Sequence, residues 1–321
     1  MKAMKLEPTF KDYLWGGTKL RDEYGKKCDY DKVAESWELS CHKDGCSTIV
    51  TGEFAGTTLA DYIAKVGKGV LGSDCGKFEN FPILIKLIDA KQNLSVQVHP
   101  DNEYAQRVEG EYGKTEMWYV VDCEPGAGLL YGFRHEISKE EFRRRIEENT
   151  LLEVTKRVEV HPGDVFFIEA GTLHAIGEGI LIAEIQQNSN TTYRVYDYGR
   201  VGADGKPRQL HIEKALDVTR LAPATRPCGR PQAAPEAVEG GTSLLLASCE
   251  YFTVREMESE GRMELAADGT SFHSVLVLEG SPVLEMGGEQ MPLKKGDSVF
   301  VPAGAGEYAL CGKAKFILTT V

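Results

Sequence analysis

Eight cysteines are scattered through this 321-residue chain, and no two of them are spaced as Cys-x-x-Cys. That spacing is the usual mark of a thiolate zinc ribbon, so such a ribbon is not expected. Long apolar runs are also missing. Nothing approaches the ~18 apolar residues of a membrane-spanning helix, and the opening Met1-Lys-Ala-Met-Lys-Leu-Glu-Pro8 has no apolar signal core. A cytoplasmic protein with reduced thiols and no disulfides is therefore expected. Basic charge is in short supply, with 37 Lys and Arg against 49 Asp and Glu and a formal net charge of −12. Nucleic acid and anionic membrane both need a basic footprint and are disfavoured as partners. A small anionic substrate needs only a few local cations and stays open.

The chain is long enough for two domains of ordinary size, and most of it reads as short strands punctuated by Gly, Pro and Asp. Segments 82–88, 116–121, 164–168 and 179–185 are examples. Helical patterns are few: one from Thr58 to Lys65, one from Ser138 to Asn149 with Ser138 and Glu141 as a capping box, and one from Gln209 to Val218. Many short strands with turn signals predict a mainly β protein of sandwich or jelly-roll type. Residues 222–241 are rich in Ala, Pro and Gly and read as a linker or surface crossing.

The sequence also repeats itself faintly. Pro162-Gly-Asp-Val-Phe-Phe-Ile-Glu-Ala-Gly-Thr-Leu-His174 parallels Lys295-Gly-Asp-Ser-Val-Phe-Val-Pro-Ala-Gly-Ala-Gly-Glu307, with His174 aligned to Glu307. A Gly-Asp turn, a short strand and a second Gly turn make a cupin-like hairpin. The echo predicts two jelly rolls, one with a site and one without; chance similarity of two Gly-rich turns is the competing explanation. The expected division is 1–223 as a catalytic cupin domain with helical insertions, 224–241 as linker, and 242–321 as a degenerate cupin-like domain.

The residues that carry chemistry begin with Leu94-Ser-Val-Gln-Val-His-Pro100. Strict alternation makes this a strand with Ser95, Gln97 and His99 on one face. Glu116 and His174 supply two further donors. Gln97, His99, Glu116 and His174 form a mixed nitrogen and oxygen set suited to one divalent ion, zinc first, with Mn²⁺, Fe²⁺ or Co²⁺ also compatible. Taken singly, each has an ordinary alternative: a packed strand histidine, a solvated strand end, a loop histidine. Glu184 and Gln186 share a strand face. Arg194 ends a polar run beside two tyrosines, where it either reaches an oxyanion or pairs with Asp197. Lys86 interrupts an apolar strand and either serves the site or snorkels to solvent. Lys114 lies two residues before Glu116.

Taken together, Phe81-Pro-Ile-Leu-Ile-Lys-Leu-Ile-Asp-Ala90, Leu94–Pro100, Gly113-Lys-Thr-Glu-Met-Trp-Tyr119, Ala170-Gly-Thr-Leu-His-Ala175 and Asn190-Thr-Thr-Tyr-Arg-Val-Tyr-Asp197 resemble type I mannose-6-phosphate isomerases. Trp15-Gly-Gly-Thr-Lys-Leu20 and Ala34-Glu-Ser-Trp-Glu-Leu-Ser40 fit as well, so the likeness runs in order over residues 7–220, in the short bacterial form. The resemblance implies a cupin fold and an aldose–ketose isomerase that uses one zinc ion and no organic cofactor. It implies Gln97, His99, Glu116 and His174 as ligands and Arg194 as the active-site arginine. Glu184 is then a candidate for proton transfer and Lys114 a further catalytic group. Lys86, Ser95 and Lys114 are expected near the phosphate, while Trp15 and Trp118 either wall the pocket or pack in the core. The expected partner is a sugar phosphate, bound by a monomer or weak homodimer. Two other readings of the same residues are a non-catalytic sugar-phosphate sensor and a metal-dependent cupin oxygenase or epimerase.

Overall fold

The structure is a computed structural model and describes residues 1–201 and 205–321. Strands dominate it, as expected, and they form two β-sandwiches. The larger sheet of the first runs, in spatial order, through Cys228–Gly229, Val165–Ile168, Glu116–Cys123, Ile180–Gln187, Ile83–Ala90, Glu35–Leu39 and Thr9–Lys11. Its facing sheet runs through Thr155–Glu159, Gly128–Phe133, His174–Ala175, Val96–Val98 and Tyr193–Tyr196. An eight-stranded and a four-stranded sheet build the second sandwich.

The two large sheets pack back to back. Ile83, Ile85 and Leu87 on one side join Leu276, Phe300 and Ile317 on the other in one buried cluster. Lys86 and Ile88 point the opposite way, into the first sandwich. A strand buried on both faces reads as a continuous apolar run, which is why Pro82–Ile88 looks uniform in the sequence. Two helices begin at their expected caps. Thr58 accepts from Asp61 N at the start of Leu59–Val66, and Ser138 accepts from Glu141 N at the start of Lys139–Glu147. The third is shorter than expected, Ile212–Val218. A further helix, Asn102–Val108, capped by Asp101, follows the His99 strand.

The internal echo is structural. Gly163 and Gly296 both take positive φ, +89° and +85°, where a side chain is strained. The next residue, Asp164 or Asp297, turns its carboxylate back onto a main-chain N–H, of His161 in one case and Lys294 in the other, at 2.8 Å in both. The interiors then diverge. The second sandwich is filled by Met257, Val275, Val277, Val299, Val301 and Phe316, and Glu307, the counterpart of His174, is exposed. In the first sandwich, one end of the interior is charged or polar instead: Lys86, Ser95, His99, Lys114, Glu116, His174 and Glu184 are all buried, beside an apolar cluster that includes Ile88, Trp118 and Phe166.

Sheet pairing also crosses between the two halves of the sequence. The N-terminal strand Met4–Glu7 lies between Ser298–Val301 and Thr48–Ile49, inside the second sandwich's large sheet. Within the Ala/Pro/Gly-rich stretch, Cys228–Gly229 pairs with Val165 and Phe166, and Glu236–Val238 pairs with Gly241–Ser243.

Candidate metal centre

His99, Glu116 and His174 each direct one ligand atom to a common point, all within 4.8 Å of one another. Three strands deliver them: the end of the 96–98 strand, the start of Glu116–Cys123, and His174–Ala175, which pairs with Gln97. His99 Nδ1 lies 2.9 Å from Thr191 O, and His174 Nδ1 lies 2.8 Å from Thr172 O. A carbonyl only accepts, so each ring carries its proton on Nδ1 and presents a bare Nε2 lone pair. Burial pushes the His174 imidazole down to about 4, and burial with Lys114 and His174 holds His99 well below its ordinary value. Both rings are thus neutral, the form that binds a metal.

The two Nε2 atoms are 3.2 Å apart, and His174 Nε2 is 3.3 Å from Glu116 Oε1. The Glu116 carboxylate is fully buried; Lys114 Nζ lies 2.8 Å from its Oε2, while Oε1 has no hydrogen-bond donor. Lone pairs facing a carboxylate in low dielectric are unfavourable without a cation; Lys114 Nζ serves His99 Nε2 and Glu116 Oε2, whereas a divalent ion would serve His174 Nε2 and Glu116 Oε1 as well. The donor set therefore fits a divalent ion. Gln97 sits directly across from His174 in the sheet, and its Oε1 is 3.4 Å from Ser95 Oγ.

A ladder of alternating charge extends from this point. Lys114 Nζ lies 2.8 Å from Glu116 Oε2, 3.3 Å from His99 Nε2 and 3.5 Å from Glu184 Oε1. Lys86 Nζ lies 3.3 Å from Glu184 Oε1 and 3.6 Å from Glu35 Oε2. Lys86 is therefore a buried cation between two carboxylates, and it does not snorkel. Trp118 Nε1 donates to Glu184 Oε2 at 3.0 Å, and Trp37 Nε1 donates to Glu35 Oε2 at 2.7 Å. Burial raises the Glu184 carboxyl, but Lys114, Lys86 and the Trp118 indole outweigh it, and the net shift is downward.

Above the ladder opens a cavity of about 280 Å³. Trp15, Lys86, Ser95, Gln97, Lys114, Glu184 and Arg194 line it, together with Tyr13, Glu35, Asn190, Thr192 and Arg208. Trp15 faces this cavity, whereas Trp118 is fully buried and packs edge-on against His174. Arg194 does not pair with Asp197. Its Nε donates to Ser95 Oγ and its Nη1 to Gln209 O, both at 3.2 Å, while Arg200 and Arg208 occupy Asp197. Glu35 and Arg208 went unrecognised in the sequence. Glu35 had a signal: a lysine inside an apolar strand needs a carboxylate nearby. Arg208 had none.

A jelly roll with a buried His-Glu-His cluster beside a polar cavity defines a metal-binding cupin. Residues 3–122 match the family described as phosphomannose isomerase type I, catalytic domain, and residues 242–321 match that described as mannose-6-phosphate isomerase, cupin domain. The probable mannose-6-phosphate isomerase GmuF of Bacillus subtilis is 42% identical over 320 residues, covering 98% of each chain. A mannose-6-phosphate isomerase from Streptococcus mutans is 39% identical over 90% of this chain and 89% of its own. A crystal structure of mannose 6-phosphate isomerase from Bacillus subtilis superposes with a TM-score of 0.91 at 36% identity, over the whole of both chains. The chain belongs to the type I phosphomannose isomerases.

Proposed function

We infer that the chain interconverts mannose 6-phosphate and fructose 6-phosphate through an enediol, with one zinc ion held by Gln97, His99, Glu116 and His174. One observation carries the metal site: two imidazole Nε2 atoms 3.2 Å apart, with no proton between them, beside a buried carboxylate whose Oε1 has no hydrogen-bond donor. When bound, a divalent ion polarises a sugar oxygen and holds the open-chain sugar in place.

The reaction moves one proton between C1 and C2 while negative charge builds on oxygen. Arg194, whose contacts are with the neutral Ser95 Oγ and Gln209 O, has its charge available for that oxyanion. Glu184, held as an anion by two lysines and an indole N–H, is the candidate base on the cavity wall. Lys114, 3.5 Å from Glu184 and 2.8 Å from Glu116, is positioned to return a proton. Lys86 is spoken for by Glu35 and Glu184 and contacts the sugar from the cavity floor. The phosphate end is better matched by Ser95 and Arg208 on the cavity lining, with Trp15 as an apolar wall. The enzyme works in the cytoplasm as a monomer or weak homodimer; its eight free thiols suit a reducing compartment.

The test pairs a coupled assay on mannose 6-phosphate with elemental analysis of the same preparation. Turnover together with about one metal ion per chain supports the reading. Stoichiometric binding of the sugar phosphate without turnover would make the protein a sensor instead.

A further inference from the structure

A two-residue turn, Lys43-Asp44, joins the short strands Cys41–His42 and Gly45–Cys46, and the register sets Cys41 directly opposite Cys46. Ser47 N donates to Ser40 O at 2.9 Å, so the neighbouring pair is the hydrogen-bonded one and the cysteines occupy a non-hydrogen-bonded position. At such a position the Cα atoms lie about 4.5 Å apart with both side chains on one face, inside the roughly 4.4–6.8 Å that a disulfide spans. Both cysteines are half-buried residues, and Cys41 and His42 line a surface cleft of about 600 Å³.

The turn residues touch the loop that orients a metal-ligand candidate. Asp44 Oδ2 accepts from Asn190 Nδ2 at 2.9 Å. Lys43 Nζ lies 2.6 Å from Glu111 Oε1, and Glu111 Oε2 accepts from Thr191 Oγ1 at 3.3 Å. Thr191 O in turn receives the His99 Nδ1 proton. Any change in the hairpin's twist therefore reaches His99 through two short polar routes.

We propose that Cys41 and Cys46 form an oxidisable dithiol, closed to a disulfide by small hydroperoxides, that lowers turnover through the Asn190–Thr191 loop. The Cys46 sulfur attacks the outer oxygen of ROOH; the O–O bond breaks, ROH departs, and the sulfur becomes a sulfenic acid. The Cys41 sulfur then displaces that hydroxyl, which leaves as water with the Cys41 proton, and the S–S bond forms. Two thiols and one ROOH thus give one disulfide, ROH and water, and an added dithiol reverses it. The Cys41 thiol opposite brings Cys46, against burial, down to about 6, so Cys46 is the sulfur that attacks once it gives up the proton it shares with Ser40 O at 3.1 Å.

The experiment treats the zinc-loaded enzyme with an equimolar amount of hydrogen peroxide and digests it with trypsin under non-reducing conditions. Cleavage after Lys32, Lys43 and Lys65 separates peptides 33–43 and 44–65, so the disulfide appears as these two peptides linked. The expected result is that linked pair, a loss of two thiols per chain, and a fall of about fivefold in kcat/KM that dithiothreitol restores. Cys41→Ser and Cys46→Ser keep the basal rate and lose both the link and the reversible fall. Peptides that stay unlinked overturn the proposal by mass alone, whatever the enzyme's activity. Linked peptides with unchanged kcat/KM overturn the connection to His99.

Discussion

His99 Nε2 and His174 Nε2 face each other at 3.2 Å, and both rings have given their only proton to main-chain carbonyls. Two lone pairs at that distance repel. The backbone nevertheless holds them there from two paired strands, and a cation shared between them would offset the repulsion. The same carbonyls fix both ring orientations before any ion arrives.

Removal of the metal by a chelator should abolish isomerisation, and zinc should restore it. His174→Ala should reduce bound metal from about one ion per chain to below about a tenth, because affinity falls by orders of magnitude when a ligand is lost. Atomic absorption on the dialysed variant measures this, with far-UV circular dichroism as the check on folding. A variant that keeps its full metal content would remove His174 from the ligand set.

Arg194→Ala should lower kcat by about a hundredfold or more while metal content stays at the wild-type level, the size of effect seen when a donor to a developing oxyanion is removed. Arg208→Ala should instead raise KM with a smaller change in kcat. Steady-state kinetics on mannose 6-phosphate distinguishes the two. Equal effects of the two substitutions on KM alone would move Arg194 to the phosphate end.

The site was legible where the sheet alternates. Ser95, Gln97 and His99 share a face, and two of the three line the cavity while His99 joins the His-Glu-His cluster. Lys86 was harder, because its strand is buried on both faces and the pattern there carries no inward or outward label. Its partner Glu35 was missed for the same reason: Glu35–Leu39 is buried throughout. Both jelly rolls were legible from the Gly-Asp turns, which depend on local main-chain geometry. The pairing of Met4–Glu7 with Ser298–Val301 was not, since a four-residue strand does not encode which distant edge it joins.

That N-terminal strand yields a stability prediction. Met4 and Leu6 are 5% and 3% exposed, and Lys5 Nζ pairs with Asp297 at 2.6 Å. Deleting residues 1–7 removes both buried apolar side chains and uncovers the Ser298–Val301 edge. At about 1.5–3 kcal/mol per buried side chain, the loss should be about 3–6 kcal/mol. Thermal unfolding should show a drop of many degrees, with kcat/KM retained at low temperature. An unchanged midpoint would mean that the strand contributes nothing to the second sandwich.

The buried histidines make the metal-free protein sensitive to acid. In the unfolded chain a histidine takes a proton near pH 6.5, but the folded protein keeps His174 neutral down to about 4. Between those values the unfolded state binds the extra proton, so the His174 contribution to stability falls as pH drops, by about 1.4 kcal/mol per pH unit. Glu116 runs the other way, because burial raises its carboxyl and the folded state holds that proton longer. Comparison with His174→Gln separates the two, since Glu116 is present in both proteins. Urea unfolding of the chelated proteins at pH 6.5, 5.5 and 4.5 should therefore show the wild type's advantage over His174→Gln shrinking stepwise toward acid. An advantage that stays constant across that range would mean His174 protonates in the folded protein as readily as in water, and its buried, neutral state would have to be abandoned.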